Sequence, residues 1–280
     1  MTAVPTGPAT AAGGDAGLRN LLDLATSLAT EAGAMLMDGL TRERSSVATK
    51  SSSTDMVTEM DRAAEAMIVG GLRRARPDDA VLSEEGASAP GTTGLRWVVD
   101  PLDGTTNYLY GLPAFAVSVA AEADGRPLLG VVHDPSRGDT FSAVAGGGAR
   151  RNGSVLRLGP APTLDRALIG TGFGYDSARR LAQARLLPTV LPAVRDIRRV
   201  GSAALDLCWV AAGILDGFYE AGLKPWDHAA GSLVAAEAGA FVGTVGGGEA
   251  LPELVVAAAP GLEGQLVRLL EAAVARAGGP

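Results

Sequence analysis

Apolar residues recur at helical spacing in six stretches of the chain, with polar residues on the intervening positions. This pattern is typical of amphipathic helices that bury one face. Thr58, with Asp61 three positions later, resembles a capping box, so the preferred interpretation of Asp61 is a structural role at a helix start. The pattern predicts helices over residues 18–40, 59–74, 177–187, 203–212, 229–238 and 261–277.

Short apolar runs bounded by glycine, proline and polar residues predict the strands. Two of them flank Ala123-Asp-Gly-Arg and predict an antiparallel hairpin. Pro160-Ala-Pro-Thr is a rigid polar break, and it predicts a boundary between halves 18–160 and 161–280 of one compact unit. Strands are predicted at residues 80–82, 97–99, 114–121, 128–133, 140–145, 155–158, 167–171, 218–220 and 254–259.

Composition and charge narrow the classes of function. The chain has 280 residues and a net charge of −7, and it lacks a long basic run, which argues against binding to nucleic acid through phosphate neutralisation. The single cysteine, Cys208, excludes an intrachain disulfide; we expect a buried thiol and a cytoplasmic protein. Residues 1–17 carry no signal-peptide pattern and are expected to be a disordered tail. No apolar run reaches the ~20 residues of a membrane span.

The most informative stretch is residues 97–108, where an apolar run ends at Asp100-Pro-Leu-Asp-Gly-Thr-Thr. Two carboxylates close together are costly unless a cation neutralises them, and Mg²⁺ prefers such oxygen ligands. The Gly-Thr-Thr segment offers backbone N–H groups at a helix start, where anions bind. The combination favours phosphate chemistry. The alternative is an ordinary Asp-Pro turn followed by a threonine cap.

Other acidic residues occupy the same kind of position, at the end of a strand or the start of a helix. Each has a structural alternative: the pair Glu84-Glu85 could form a solvated acidic turn, and Asp227 could cap the helix that follows it. The arginines at 195, 198 and 199 are interpreted as a surface or subunit contact. The acidic positions are Asp55, Glu84, Asp100, Asp103, Glu220 and Asp227.

Two glycine-rich segments are candidate ligand loops. Residues 146–153 lack the terminal Gly-Lys-Ser/Thr of a phosphate-binding P-loop, so a hairpin loop is preferred there. Gly170-Thr-Gly-Phe-Gly174 misses the dinucleotide spacing by one residue and has no acidic residue near the required position. A nucleotide-cofactor enzyme is therefore not favoured.

Five sequence blocks, in order, resemble the inositol monophosphatase family of metal-dependent phosphatases. They span about residues 18–275. Ser83 stands where many relatives have glycine, and Lys224-Pro225 occupies a variable position close to the expected substrate. The blocks are Asp55-Met-Val-Thr-Glu-Met-Asp61, Ser83-Glu-Glu-Gly86, Asp100-Pro-Leu-Asp-Gly-Thr-Thr-Asn107, Gly201-Ser-Ala-Ala-Leu205 with Glu220, and Trp226-Asp-His-Ala-Ala-Gly231 with Glu237.

The resemblance implies an α/β fold layered as αβαβα, a homodimer, and roughly two or three Mg²⁺ ions in each site. It implies one metal position at Glu84, Asp100 and the Leu102 carbonyl. It implies a second at Asp100, Asp103 and Asp227, with Asp100 shared between the two, and a weaker third that uses Glu84 and water. Glu85 and Lys50 are supporting candidates.

The resemblance also implies the remaining roles. Thr105, with Asp55 as its base, would activate the attacking water. The phosphate would bind at Gly104, Thr105 and Thr106, and the alcohol would lie near Asp103, Ala203 and Glu220.

The implied activity is hydrolysis of inositol 1-phosphate or a similar polyol phosphate. Within the family, histidinol phosphate, fructose 1,6-bisphosphate and 3′-phosphoadenosine phosphates remain alternative substrates. An alternative of another class is a regulatory binding module.

Overall fold

The fold is taken from a computed structural model, which describes residues 14–40, 47–49, 56–247 and 251–277. Asp55 and Lys50 lie outside these residues. The helices are α1 Gly14–Leu40, α2 Glu59–Ala75, α3 Thr105–Tyr110, α4 Ser177–Ala184, α5 Leu187–Val190, α6 Ala203–Ala211, α7 Pro225–Ala238 and α8 Glu263–Ala277. Two 3₁₀ turns occupy Leu164–Arg166 and Leu191–Ala193.

The strands form two large sheets and one isolated pair. The pair is β1 Val47–Thr49 with β2 Met56–Thr58. The first sheet contains β3 Ala80–Ser83, β4 Leu95–Asp103, β5 Ala116–Ala123, β6 Arg126–Asp134, β7 Asp139–Val144, β8 Gly148–Arg151 and β9 Ser154–Leu156. The second contains β10 Leu168–Thr171, β11 Asp196–Arg198, β12 Gly217–Ala221, β13 Phe241–Val245 and β14 Leu254–Ala258.

The first sheet keeps chain order, β3 to β9. Only β3 and β4 run parallel within it; each later strand pairs antiparallel with its predecessor. The predicted hairpin is present as β5 and β6, with Asp124 and Gly125 at positive φ in its turn. The second sheet has the order β11-β10-β12-β14-β13 and is parallel in its first three strands.

Three apolar clusters fill the spaces between five layers. Leucines and alanines of α1 and α2 pack on one face of the first sheet, against β4 to β6. Helices α6 and α7 lie between the two sheets, so alternate residues of β4, such as Val98, face them. Helices α4, α5 and α8 cover the outer face of the second sheet. The layered αβαβα arrangement is therefore confirmed.

The structure corrects several predicted boundaries. Helix α1 begins at Gly14, so residues 14–17 of the expected tail are helical, while residues 1–13 lie outside the described part. The loop expected at residues 146–153 contains strand β8, and α5 follows α4 with Pro188 in its first turn. Strand β13 was not predicted from the sequence. The division at residue 160 stays a prediction, although α6 and α7 pack on the first sheet.

Candidate active site

Three carboxylates converge where β3, β4 and the start of α7 meet. One oxygen from each of Glu84, Asp100 and Asp227 lies within 4.8 Å of the others. Asp100 is buried, with 1% of its surface exposed, and the other two are half-buried. The structure thus brings together residues from three distant parts of the sequence.

The local fold explains how Glu84 and Asp100 come together. Strands β3 and β4 are parallel neighbours, with Ser83 opposite Val99, so the residues that follow lie side by side. The N–H of Glu84 donates to the Val99 carbonyl at 3.2 Å and fixes this arrangement. Both carboxylates therefore sit at one edge of the sheet.

Asp227 serves two purposes in the structure. It is the third residue of α7, and its Oδ2 accepts the Lys224 N–H at 2.6 Å, which satisfies a donor at the helix start. The N-cap itself is Lys224, so Asp227 contributes to capping from the third helical position and not as the N-cap, and the same side chain also belongs to the acidic cluster. Burial, more than any neighbouring charge, raises the pKa of Asp227 well above its usual value.

The cluster is electrostatically unfavourable without a cation. Burial raises the pKa of Asp100 well above its usual value, and nearby carboxylates raise it further, in the order Glu84, Asp103, Asp227 and Asp61. Carboxylates this close repel one another unless protons or a cation neutralise them. An all-oxygen donor set on buried carboxylates suits a hard divalent cation. The residues present therefore fit a Mg²⁺-type ion.

Asp103 stands slightly apart from this trio. Its Oδ2 accepts hydrogen bonds from the Ser202 hydroxyl at 2.6 Å and the Ala204 N–H at 2.8 Å, which join the end of β4 to the start of α6. Burial raises the pKa of Asp103 to about 6, against the effect of these two hydrogen bonds. Its charge acts on both Asp100 and Asp227, although the tight group of carboxylates does not include it.

The turn between β4 and α3 is held by its own hydrogen bonds. The N–H of Leu102 donates to Asp100 Oδ1 at 3.0 Å, and the Leu102 carbonyl accepts the Thr105 hydroxyl at 3.0 Å. Gly104 has φ 89°, and a Cβ there would meet the Ala114 carbonyl at 3.0 Å. A glycine is required at this point because the left-handed backbone and the close contact both disfavour a side chain.

Glu220 marks the other side of the site. Burial is the main cause that raises the pKa of Glu220 to about 7; the charge of Asp103 adds to it and that of Arg199 opposes it. A Cβ at Gly172 would collide with the Glu220 carboxylate. Ala203, the first residue of α6, is buried nearby in the inter-sheet core.

Sequence reasoning missed Asp61 as a member of the site. Its side chain is completely buried, and its charge contributes to the raised pKa of Asp100. It is the third residue of α2, as the capping pattern predicted, but a solvated cap residue would not be buried beside other carboxylates. The signal that could have found it is its place in the same sequence block as Asp55.

Arg199 and Asp206 also lie near the site. Arg199 is exposed, as expected for a surface residue, and its charge acts on Asp103, Glu220 and Asp206. Asp206 lies in the first turn of α6 with 1% exposure, and burial together with the charge of Glu220 raises its pKa well above the usual value. Both residues flank the Gly201-Ser202 block. Glu85 is half-buried next to Glu84.

The glycine-rich segments have structural roles. The N–H groups of Gly146 and Gly148 each donate to the Glu237 carboxylate at 2.8 Å, which ties the turn between β7 and β8 to α7. Residues 146–153 thus form turns on either side of strand β8 and not the single hairpin loop that was expected. Gly170 lies in β10 and Gly172 in the loop that follows.

Comparison with known proteins assigns the family. A sequence profile described as the inositol monophosphatase family matches residues 18–275. A Mycobacterium leprae protein named inositol-1-monophosphatase is 46% identical over 240 residues, which cover 80% of this chain and 81% of that protein. An Escherichia coli protein named Nus factor SuhB is 42% identical over 231 residues, 81% of this chain and 86% of that protein.

A solved structure agrees with the family profile and with the two relatives. Mycobacterium tuberculosis SuhB superimposes with a TM-score of 0.75 at 40% sequence identity, covering 91% of this chain and 97% of that chain. The chain belongs to the inositol monophosphatase family.

Proposed function

We propose that this protein is a Mg²⁺-dependent phosphatase that hydrolyses inositol 1-phosphate to inositol and phosphate. The observation that carries the proposal is the trio of Glu84, Asp100 and Asp227, with Asp100 buried, at the sheet edge where α3 begins. Such a cluster needs a cation, and a bound cation beside a helix start suits a phosphate ester. The name of the M. leprae relative supports inositol 1-phosphate as the substrate.

Glu84, Asp100, Asp103, Asp227 and the Leu102 carbonyl would hold the metal. When bound, Mg²⁺ would neutralise the phosphate oxygens and lower the pKa of a coordinated water. Asp100 already accepts the Leu102 N–H, and Asp103 is held by Ser202, so both carboxylates are oriented before any ion enters. This preorganisation reduces the cost of ordering ligands on binding.

Thr105 would orient the attacking water. Its hydroxyl is directed by the bond to the Leu102 carbonyl, so its oxygen lone pairs point away from that carbonyl and can accept from a water. A carboxylate would take the proton that the water loses. The family resemblance implies this role for Asp55. Asp61, buried beside Asp100, is a second candidate and lies among the described residues.

Glu220 would bind a hydroxyl of the leaving alcohol. With a pKa of about 7 it is partly protonated near neutral pH, so it can accept from or donate to a polyol hydroxyl. Gly104, Thr105 and Thr106 would bind the phosphate at the start of α3, and Ala203 would contact the alcohol. Glu85 and Lys50 are retained as supporting residues.

The other expectations stay predictions: a homodimer, a cytoplasmic location, and no nucleic-acid partner. No helix in the part of the chain that the structure describes is long and apolar enough to cross a membrane. The E. coli relative carries the name of a Nus factor, so a binding role remains the alternative of another class.

The test is phosphate release from a panel of monoesters with and without Mg²⁺. The panel contains inositol 1-phosphate, histidinol phosphate, fructose 1,6-bisphosphate and 3′-phosphoadenosine 5′-phosphate. We expect Mg²⁺-dependent release, fastest from inositol 1-phosphate, and loss of activity in Asp100→Asn by at least about 100-fold. Asp165→Asn, at an exposed position, is the control and should behave as wild type. No release from any ester would refute the enzyme proposal and favour the binding role.

A further inference from the structure

The segment between β10 and α4, residues 172–176, is built as a fixed loop. The N–H of Gly174 donates to Gln183 Oε1 at 2.8 Å, and Gln183 Nε2 donates to the Ala221 carbonyl at 3.1 Å. Asp176 caps α4 by accepting the Arg179 N–H at 2.8 Å. These bonds fasten one side of the loop to α4 and to the end of β12.

The beginning of this loop lies against the alcohol side of the site. Gly172 packs directly on the Glu220 carboxylate, leaving no space for even a methyl group. The next carbonyl, that of Phe173, is 3.5 Å from a guanidinium nitrogen of Arg199, whose charge acts on Glu220. The loop therefore starts at the group proposed to bind the substrate hydroxyl.

The end of the loop lies against the phosphate side. The Tyr175 and Thr106 hydroxyls form a hydrogen bond, which joins the loop to the second residue of α3. Burial, with added effects of the charges of Asp103, Glu84 and Asp100, raises the pKa of Tyr175 to about 12. The residue nevertheless keeps 39% of its surface exposed. Tyr175 thus bonds to Thr106, where the charges of the acidic cluster act on its hydroxyl, while part of the residue remains accessible.

Within four residues, the loop runs from Glu220 to Thr106. Glu220 is the group proposed to bind the alcohol, and Thr106 is one of those proposed to bind the phosphate. We propose that Tyr175 is a positioning and specificity-determining residue, whose bond to Thr106 holds the β10–α4 loop across the site and whose ring limits the alcohol that fits beside Glu220. This inference rests on the proposed phosphatase function for its substrate.

Two substitutions separate the role of the Tyr175 hydroxyl from the role of its ring. Tyr175→Phe keeps the ring and removes the hydroxyl, so the loop loses its bond to α3. Tyr175→Ala also removes the ring and opens the alcohol side. Tyr110→Phe is the matched control, since Tyr110 ends α3 with 71% of its surface exposed.

The first readout is hydrogen exchange of the amides of residues 172–176, measured without substrate. We expect exchange about fivefold faster in Tyr175→Phe than in wild type or Tyr110→Phe, the change equivalent to one neutral hydrogen bond. Equal exchange in all three proteins would overturn the inference. Because this measurement needs no turnover, it decides the loop's role even if wild type releases no phosphate, an outcome that refutes only the proposed function.

The second readout is steady-state kinetics with a compact and a bulky ester. For inositol 1-phosphate, Tyr175→Phe should raise KM about fivefold and leave kcat within about twofold, because the loop positions the alcohol and not the reacting atoms. Tyr175→Ala should shift the ratio of kcat/KM values about tenfold towards adenosine 2′-monophosphate. An unchanged ratio in Tyr175→Ala, or a Tyr175→Phe defect confined to kcat, would also overturn the inference.

Discussion

The raised pKa of Glu220 makes a quantitative prediction about stability without metal. Its carboxyl has an ordinary value of 4.5 and a value of about 7 in the folded protein, mainly because of burial. The folded protein therefore binds this proton more tightly than the unfolded chain does. The contribution of Glu220 to the free energy of unfolding is fully present below its pKa of 4.5 in the unfolded chain, and it is lost as the pH rises through its folded pKa of about 7.

The size of the effect follows from the same two values. When the pH falls from about 8 to about 6, protonation of Glu220 in the folded protein adds roughly 1.4 kcal/mol to the free energy of unfolding, because pH 6 is one unit below its folded pKa of about 7. Asp103, whose pKa is raised to about 6, contributes in the same direction. His133 and His228 oppose it, because burial lowers the pKa of both and the unfolded chain then takes up protons at acidic pH.

A comparison with Glu220→Gln isolates the single group. Urea unfolding in the presence of a chelator, at about pH 6 and about pH 8, gives the free energy of unfolding of each protein. We expect the free energy of unfolding of wild type to exceed that of Glu220→Gln by about 1.4 kcal/mol more at the lower pH than at the higher pH. The surface variant Asp165→Asn should follow wild type. A difference that is independent of pH, or of opposite sign, would refute the argument that burial raises the Glu220 pKa.

Two further predictions concern the same site. Gly172→Ala should raise KM for inositol 1-phosphate about tenfold, because overpacking against Glu220 costs about 1–3 kcal/mol. Gly159→Ala is the control, since a Cβ at residue 159 meets nothing within 4 Å. Equal KM values for the two variants would contradict the proposed contact. Asp61→Asn should lower kcat at least about 100-fold if Asp61 takes the proton of the attacking water. Wild-type turnover with a stability loss of about 1 kcal/mol would assign Asp61 to helix capping alone.

Much of the fold follows from local patterns in the sequence. The period of apolar residues located α1, α2, α6 and α8, and the paired apolar runs around Asp124-Gly125 located the hairpin of β5 and β6. The misses occur where the local signal is weak. Strand β8 is made of Gly-Ala-Arg-Arg, which has no alternating apolar pattern and becomes a strand because its neighbours β7 and β9 supply hydrogen bonds.

The sequence blocks predict most of the candidate site. The prediction is incomplete where a residue of a block has two possible interpretations. The acidic residues of the opening stretch were selected because two carboxylates next to Gly-Thr-Thr suit a cation and a phosphate. Asp61 was assigned to a helix cap because its spacing from Thr58 fits that motif, and spacing contains no information about burial. Arg199 is exposed, as the surface interpretation expects, but the sequence does not show that its charge acts on Asp103, because that depends on distance in the folded protein.

The sequence by itself determined which residue types are available for the chemistry and where the strands and helices that present them begin or end. Only the tertiary structure decided that Glu84, Asp100 and Asp227 meet within 4.8 Å, since their meeting depends on β3 and β4 pairing in parallel and on α7 packing between the sheets. The pKa of each carboxyl was decided at the same level. Desolvation and Coulomb interactions depend on distance in space, and residues far apart in the chain set both.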